Sequence, residues 1–518
     1  MNQFFLTWMS FCNTRSMIRL SFFKKNIDSL VAAAAGFLII FLFTRHSGIG
    51  VCPDGVVYTT AAENLRATGK YIDFTRGPVI DFPAFYSIFL SGIMWLTGLK
   101  PLAFAPFLNA FLFAAIIYLA GIIMEQFEYR SKWYKAAILS CIALSPGLLE
   151  DYSMMWSETL FILFLLLFMM AIHRYLRSGS KKALLAAAII TSIACVTRYA
   201  GISIIVTGGI IILFNNKLSL QKRFTDVMIF GAISPLLLII NFWRNYAVSG
   251  TLTGHREPSI TPLITNMHDA GIVFSNWLPF LHDNYGTAIV AVIVIIAGLI
   301  ILCTRQFLSD HRIFRYESMA SAFALFYILF MIVTATLSRF EGLNSRFMTP
   351  AFIPLLWSGS YWLVSLSKQS RTFVKKFSLA ALGIFILCSF QYNQLAADAE
   401  TWDGVKDAGI PGYTEDQWTK SETVQFIEKD ALPFKKNYTI YSDAYDAIYW
   451  FTGRPGKFLP AREYKPGVKE FLNDPHCYMV WFNDGANFDL VDLNFITRVK
   501  KMKLVKQFSD GAIYEYGQ

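Results

Sequence analysis

The stretch Ala84-Phe85-Tyr86-Ser87-Ile88-Phe89-Leu90-Ser91-Gly92-Ile93-Met94-Trp95-Leu96-Thr97-Gly98 decides how the whole chain is threaded. It is apolar, yet as a helix it reaches only about 23 Å, short of a hydrocarbon core about 30 Å thick. Pro83 and Gly98 punctuate its ends. Laid flat at the membrane interface, it leaves the basic clusters Arg130/Lys132/Lys135, Arg174/Arg177/Lys181/Lys182, Lys217/Lys222/Arg223, Arg305/Arg312/Arg315 and Lys368/Arg371/Lys375/Lys376 on the side of the basic N-terminus. Every cytosolic loop then obeys the positive-inside rule. Made to cross, the same stretch would move every one of those clusters outside.

Composition agrees with a membrane chain. Of 518 residues 55% are hydrophobic and 16% charged, against about 25% charged in soluble domains; the mean hydropathy is +0.43. Candidate spans lie near 28–44, 104–123, 134–149, 158–173, 183–196, 200–214, 225–242, 286–303, 318–336, 348–366 and 377–392. The run Ala183 to Phe214 is too long for one span, and Thr197-Arg198-Tyr199 interrupts it. Keeping it whole would put Arg198 at the bilayer centre, at a cost of at least about 2.5–3.5 kcal/mol, so a hairpin is expected. The fold class is therefore a polytopic α-helical membrane protein with about eleven transmembrane helices and a small C-terminal α/β domain outside the cytosol. In domain terms, residues 1–27 form a cytosolic N-terminus, 28–392 a transmembrane module whose first outer loop is 45–103, and 393–518 the extracytoplasmic domain. The setting is the plasma (inner) membrane, crossed many times, with the first apolar run retained as a signal anchor because no small-residue cleavage site follows it.

The formal charge of +10 does not point to nucleic acid, because the basic residues sit in short clusters between apolar runs rather than on one patch. The seven cysteines show no metal-site spacing. Cys52 and Cys477 fall in the non-cytosolic parts, and pairing between them is left open.

Polar chemistry gathers on the outer face. The first outer loop reads Cys52-Pro53-Asp54-Gly55-Val56-Val57-Tyr58, and Val57, Ala61, Leu65 and Thr68 keep helical spacing up to Gly69, which describes an amphipathic surface helix. Asp54 is then either the helix N-cap or a carboxylate turned to a lipid-borne substrate, and spacing favours the cap. The second outer loop offers Glu150, Asp151 and the run Trp156-Ser157-Glu158. An acid at a helix N-terminus is stabilised by the dipole, yet carboxylates on neighbouring loops also suit a divalent metal or a division of base and orienting roles. Arg198, Arg244 and Arg346 recur at outer helix ends. One such arginine usually snorkels; three running against the positive-inside trend fit phosphate binding. His255, Arg256, His268 and Asp269 occupy a long loop from Trp243 to Gly286 and match no metal motif.

These residues resemble the polytopic GT-C glycosyltransferases, in particular the branch containing protein O-mannosyltransferases and the aminoarabinose transferase of lipid A. The resemblance rests on Pro53-Asp54-Gly55…Tyr58…Ala62…Asn64-Leu65…Gly69, Phe82-Pro83…Tyr86, Ser157-Glu158, Thr197-Arg198…Gly201 and Arg346…Pro350…Pro354, in that order. It implies inverting transfer of one sugar from a polyprenyl-phosphate donor to an acceptor hydroxyl of a lipid, glycan or protein. Asp54 would match the catalytic base and Glu158 the second-loop acid, while Arg198, Arg244 and Arg346 would bind the donor phosphate. Tyr58, His255 and Arg256 are candidate substrate contacts. Many relatives follow the first-loop aspartate with Glu where this chain has Gly55, so metal dependence is left open, with Asp54 and Glu158 as the ligands if a divalent ion is used. The competing class is a lipid-linked-sugar flippase or other secondary transporter. Transporters place charges near the midplane and often repeat their halves; here the charges sit at helix ends.

Overall fold

The computed structural model describes residues 26–254, 256–277, 285–308, 313–339, 341–429, 434–482 and 490–517. The basic N-terminal residues Arg15 to Lys25, Cys12 and His255 lie outside them. The chain groups into two compact units that do not follow its linear order. One comprises Met1–Leu42, Ile80–Tyr86 and Pro106–Trp402, the other Phe43–Val79, Ser87–Ala105 and Asp403–Gln518.

The first unit is helical. Among the described residues, six helices of the chain are long and apolar enough to cross a membrane: Pro101–Met124, Glu158–Ser178, Leu220–Ser249, Tyr285–Phe307, Tyr316–Leu337 and Phe373–Ala408. At Ser234-Pro235 Leu220–Ser249 divides into Leu220–Ile233 and Leu236–Ser249, because proline has no N–H to continue the ladder. Neighbours in sequence pack as antiparallel partners, notably Glu158–Ser178 with Lys181–Thr197 and Tyr316–Leu337 with Ser345–Gln369.

Three local outcomes bear on the site. The long apolar run does break at Arg198, which is extended at φ −147° and ψ 140° between helix Lys181–Thr197 and the short 3-10 turn Tyr199–Gly201. The return is tight: a Cβ at Gly201 would lie 2.6 Å from Cys195 Cα. Gly201→Ala is therefore expected to destabilise the protein by roughly 1–3 kcal/mol through overpacking, read as a lower unfolding temperature of the detergent-solubilised protein; an unchanged temperature would refute the tight approach.

The expected span 134–149 is instead two helices, Lys132–Ala143 and Pro146–Ser153. Pro146 starts the second at N1, the position its fixed φ suits. Finally, the long loop after Trp243 is not all loop. Helix Leu236–Ser249 runs past Trp243, and a further helix, Leu263–Trp277, follows it.

The second unit carries a five-stranded sheet made of β1 (Thr439–Ser442), β2 (Lys457–Phe458), β3 (His476–Trp481), β4 (Lys503–Gln507) and β5 (Ala512–Gly517), in the order β2-β1-β3-β5-β4. β1 pairs parallel with β2 and β3; β5 is antiparallel to β3 and β4. Tyr441, Leu459, Phe471, Cys477, Met479 and Ile496 form its core. Cys52 and Cys477 are both free thiols. Residues from early in the chain complete this unit: Tyr413 N donates to Val51 O at 2.8 Å, Ile410 N to Ser47 Oγ at 2.9 Å and Thr414 Oγ1 to Ile49 O at 3.1 Å.

Candidate functional site

In the first unit the site is built on helix Glu158–Ser178 and on the turn that leads into it. Asn109 Nδ2 donates to both Tyr152 O, at 3.0 Å, and Met154 O, at 2.8 Å. Tyr152 Oη donates to Thr159 O at 2.9 Å, and Tyr86 Oη reaches Met155 Sδ at 3.4 Å. A turn clamped at so many points presents the first helical residue, Glu158, in one orientation. Glu158 is fully buried.

Two arginines converge on it. Arg198 Nη1 stands 2.5 Å from Glu158 Oε1, and Arg346 Nε donates to the same oxygen at 2.6 Å. Each comes from a place the local sequence defines: Arg198 from the break between two helices, Arg346 from the first turn of helix Ser345–Gln369. That helix is capped by Asn344, whose side chain accepts from Phe347 N. It approaches helix Pro146–Ser153 closely, since a Cβ at Gly147 would lie 2.6 Å from Ser345 Oγ. The Arg346 guanidinium also lies 4.2 Å from the Trp156 ring centroid, a cation–π contact. Arg198 Nη1 further donates to Ser157 Oγ at 3.2 Å. From the exposed side, Glu341 Oε1 reaches Arg346 Nη1 at 3.8 Å.

Glu150 and Asp151 belong to the same electrostatic neighbourhood. Burial, reinforced by the charges of Glu158 and Glu150, pushes the Asp151 carboxyl well above the ordinary carboxylate range. Neither oxygen of Asp151 has a hydrogen-bond partner among the described residues. Burial likewise raises Glu150, against the pull of Arg346. Burial of this kind works against the charged form of both carboxyls. Two guanidinium groups thus meet on one fully buried carboxylate, Glu158, with Glu341 reaching Arg346 from the exposed side, an arrangement that suits an anion in place of Glu341. Among the described residues, no group of three or more His, Cys, Asp or Glu is placed to hold a metal ion.

The other sequence-derived candidates make contacts of their own. Arg244 donates to Asn245 Oδ1 at 3.0 Å, and Asn245 Nδ2 in turn holds Ile80 O at 3.1 Å and Leu252 O at 2.8 Å. Arg256 donates to Thr253 O at 3.0 Å and Asp81 O at 3.1 Å, and so fastens a loop to segment Ile80–Tyr86. Asp54 and Tyr58 belong to the second unit. There helix Pro53–Thr68 starts at Pro53 with Cys52 as its N-cap and ends at Gly69 in the left-handed region. Asp54 is thus a half-buried residue of the first turn and not the cap; proline at N1 sets the start two residues earlier than an Asp cap would. Within this unit Asp54 faces Asp446. Burial and the charge of Asp54 raise the Asp446 carboxyl, while the 2.7 Å hydrogen bond from Tyr413 Oη works against them. Tyr58 is buried.

No protein-family profile matches the sequence, and no curated protein matches it. Solved structures do share the fold. ArnT from Cupriavidus metallidurans, solved bound to undecaprenyl phosphate, superposes with a TM-score of 0.55 at 11% identity, over 94% of this chain and 97% of that one. Its apo state gives 0.53 at the same identity and coverage. The archaeal oligosaccharyltransferase AglB from Archaeoglobus fulgidus, in complex with an inhibitory peptide and a dolichol-phosphate, gives 0.51 at 13% identity, over 89% of this chain and 70% of that one. At such identities the likeness is one of fold.

Proposed function

We propose that this chain, whose fold is that of the GT-C glycosyltransferases, transfers a single sugar from a polyprenyl-phosphate donor to an acceptor hydroxyl on the outer face of the membrane. The observation that carries the proposal is the convergence of Arg198 and Arg346 on the buried Glu158. Glu158 fixes both guanidinium groups in place, and a planar fork of N–H donors matches a phosphate. The exposed, 3.8 Å contact of Glu341 with Arg346 is the one a donor phosphate displaces. Support also comes from two neighbours of the same fold whose structures hold undecaprenyl phosphate and dolichol-phosphate.

In the proposed reaction the acceptor oxygen attacks the anomeric carbon as the bond from that carbon to the phosphate oxygen breaks. The electron pair leaves with the lipid phosphate, and configuration inverts. Arg198 and Arg346 stabilise the charge that grows on the leaving phosphate. Asp54, the residue that matches the family's first-loop aspartate, takes the proton of the acceptor hydroxyl. The membrane module of residues 28–392 carries the donor, and the 393–518 domain lies outside the cytosol with the acceptor.

The test is reconstitution of the purified chain in liposomes with a labelled polyprenyl-phosphate sugar and envelope lipid and glycan acceptors. Label is expected in a new glycoside of inverted configuration. Label that crosses the bilayer still attached to its lipid, with no glycoside formed, would replace the enzyme by a flippase.

A further inference from the structure

A cavity of about 240 Å³ opens beside the start of the helix that carries Arg346. It is lined by Asp269, Ile272, Val273, Asn276 and Trp277 from helix Leu263–Trp277, and by Leu343, Asn344 and Ser345. The volume lies just below the roughly 300–1,000 Å³ of drug-sized sites, which leaves room for one ring rather than a chain of them. Its lining combines an indole, a carboxylate, two amides and a hydroxyl. An indole gives a flat apolar surface, a carboxylate accepts from a pair of vicinal hydroxyls, and an amide both accepts from and donates to them.

The polar and aromatic groups are held. Trp277 packs against Phe274, at 5.6 Å between centroids, and edge-on against Phe352 at 5.1 Å. Asp269 Oδ1 is paired with His268 Nδ1 at 3.2 Å, and His268 stacks on Tyr285 at 4.4 Å. A Cβ built at Gly342 would lie 3.6 Å from Asp269 Oδ2, so the carboxylate sits against the segment that runs directly into Asn344, Ser345 and Arg346.

We propose that this cavity holds the sugar ring of the lipid-linked donor, with Trp277 as its platform and Asp269 and Asn276 as its hydroxyl ligands. The assignment rests on the reading of Arg346 as a donor-phosphate ligand, because one covalent bond separates the phosphate of such a donor from its sugar. A carboxylate in the lining selects an uncharged or amino-bearing ring over an acidic one, by like-charge repulsion.

The experiment compares binding of decaprenyl phosphate with binding of decaprenyl-phosphate pentoses and hexoses to the full chain in nanodiscs. At least one sugar-bearing lipid is expected to bind roughly tenfold more tightly than the bare lipid phosphate. Trp277→Ala and Asp269→Asn should each erase that gain and leave the bare lipid phosphate bound as before, while Trp277→Phe keeps part of it. The proposal is overturned if no sugar-bearing lipid gains affinity, if the gain survives both substitutions, or if both lipids weaken together. Failure of the wild-type chain to bind either lipid would sink the donor reading instead. Saturation-transfer NMR with methyl glycosides of the same sugars then decides the cavity: a signal lost in Trp277→Ala supports the ring site, and a signal that persists, or none at all, refutes it.

Discussion

Replacement of Arg346 by alanine is expected to lower sugar transfer by roughly 10²–10³-fold, the cost of removing one fixed donor from a developing negative charge. It should also destabilise the fold, because Glu158 is fully buried and Arg346 Nε holds its Oε1 at 2.6 Å. Breaking a buried pair from one side costs roughly 3–5 kcal/mol, with Arg198 as the remaining partner moderating the loss. Arg346→Lys keeps the charge but gives up the Nε hydrogen bond and the guanidinium contact over Trp156, so it should recover stability better than rate. Transfer from a labelled decaprenyl-phosphate sugar, normalised to folded protein, and thermal unfolding measured side by side separate the two effects. An alanine variant that unfolds early yet transfers at the parental rate would make Arg346 a structural residue only.

Asp54→Asn is the second large effect. A carboxylate that removes the acceptor proton contributes roughly 10²–10⁴-fold to rate, and the amide cannot replace it. The change is nearly isosteric and lies in the first turn of a helix whose cap is Cys52 rather than Asp54, so folding should be spared. Donor binding is expected to stay at the parental level while single-turnover transfer falls. Transfer that continues unchanged would end the assignment of Asp54 as the base.

Much of the helical layout is legible in the sequence, because charge is costly in lipid and proline and glycine punctuate helices. The break at Arg198 follows from the first reason, and the helix Phe85–Thr97 between Pro83 and Gly98 from the second. Helix Leu263–Trp277 lies within the expected long loop although its pattern is present: Asn266, Ala270, Val273 and Phe274 are buried at helical spacing. Polar residues between them gave the stretch the look of a loop. Glu158, Arg198 and Arg346 each stood out as charges at helix ends, but their meeting at one oxygen depends on contacts between residues up to 188 positions apart. Asp151 was visible only as an acid in a loop, since burial of a charged residue without a partner is the outcome that composition argues against. The grouping of residues 43–79 with 403–518 rests on backbone pairings such as Tyr413 to Val51, to which no local pattern points.

That grouping also bears on how the protein is made. The segment ending at Val79 leaves the ribosome roughly 320 residues before Asp403 appears. At roughly 5–20 residues per second the delay is on the order of tens of seconds. Throughout it, Ser47, Ile49 and Val51 lack the partners that Ile410, Thr414 and Tyr413 later supply. These hydrogen bonds can therefore form only after residues 410–414 emerge, and a chain truncated before residue 403 would never make them.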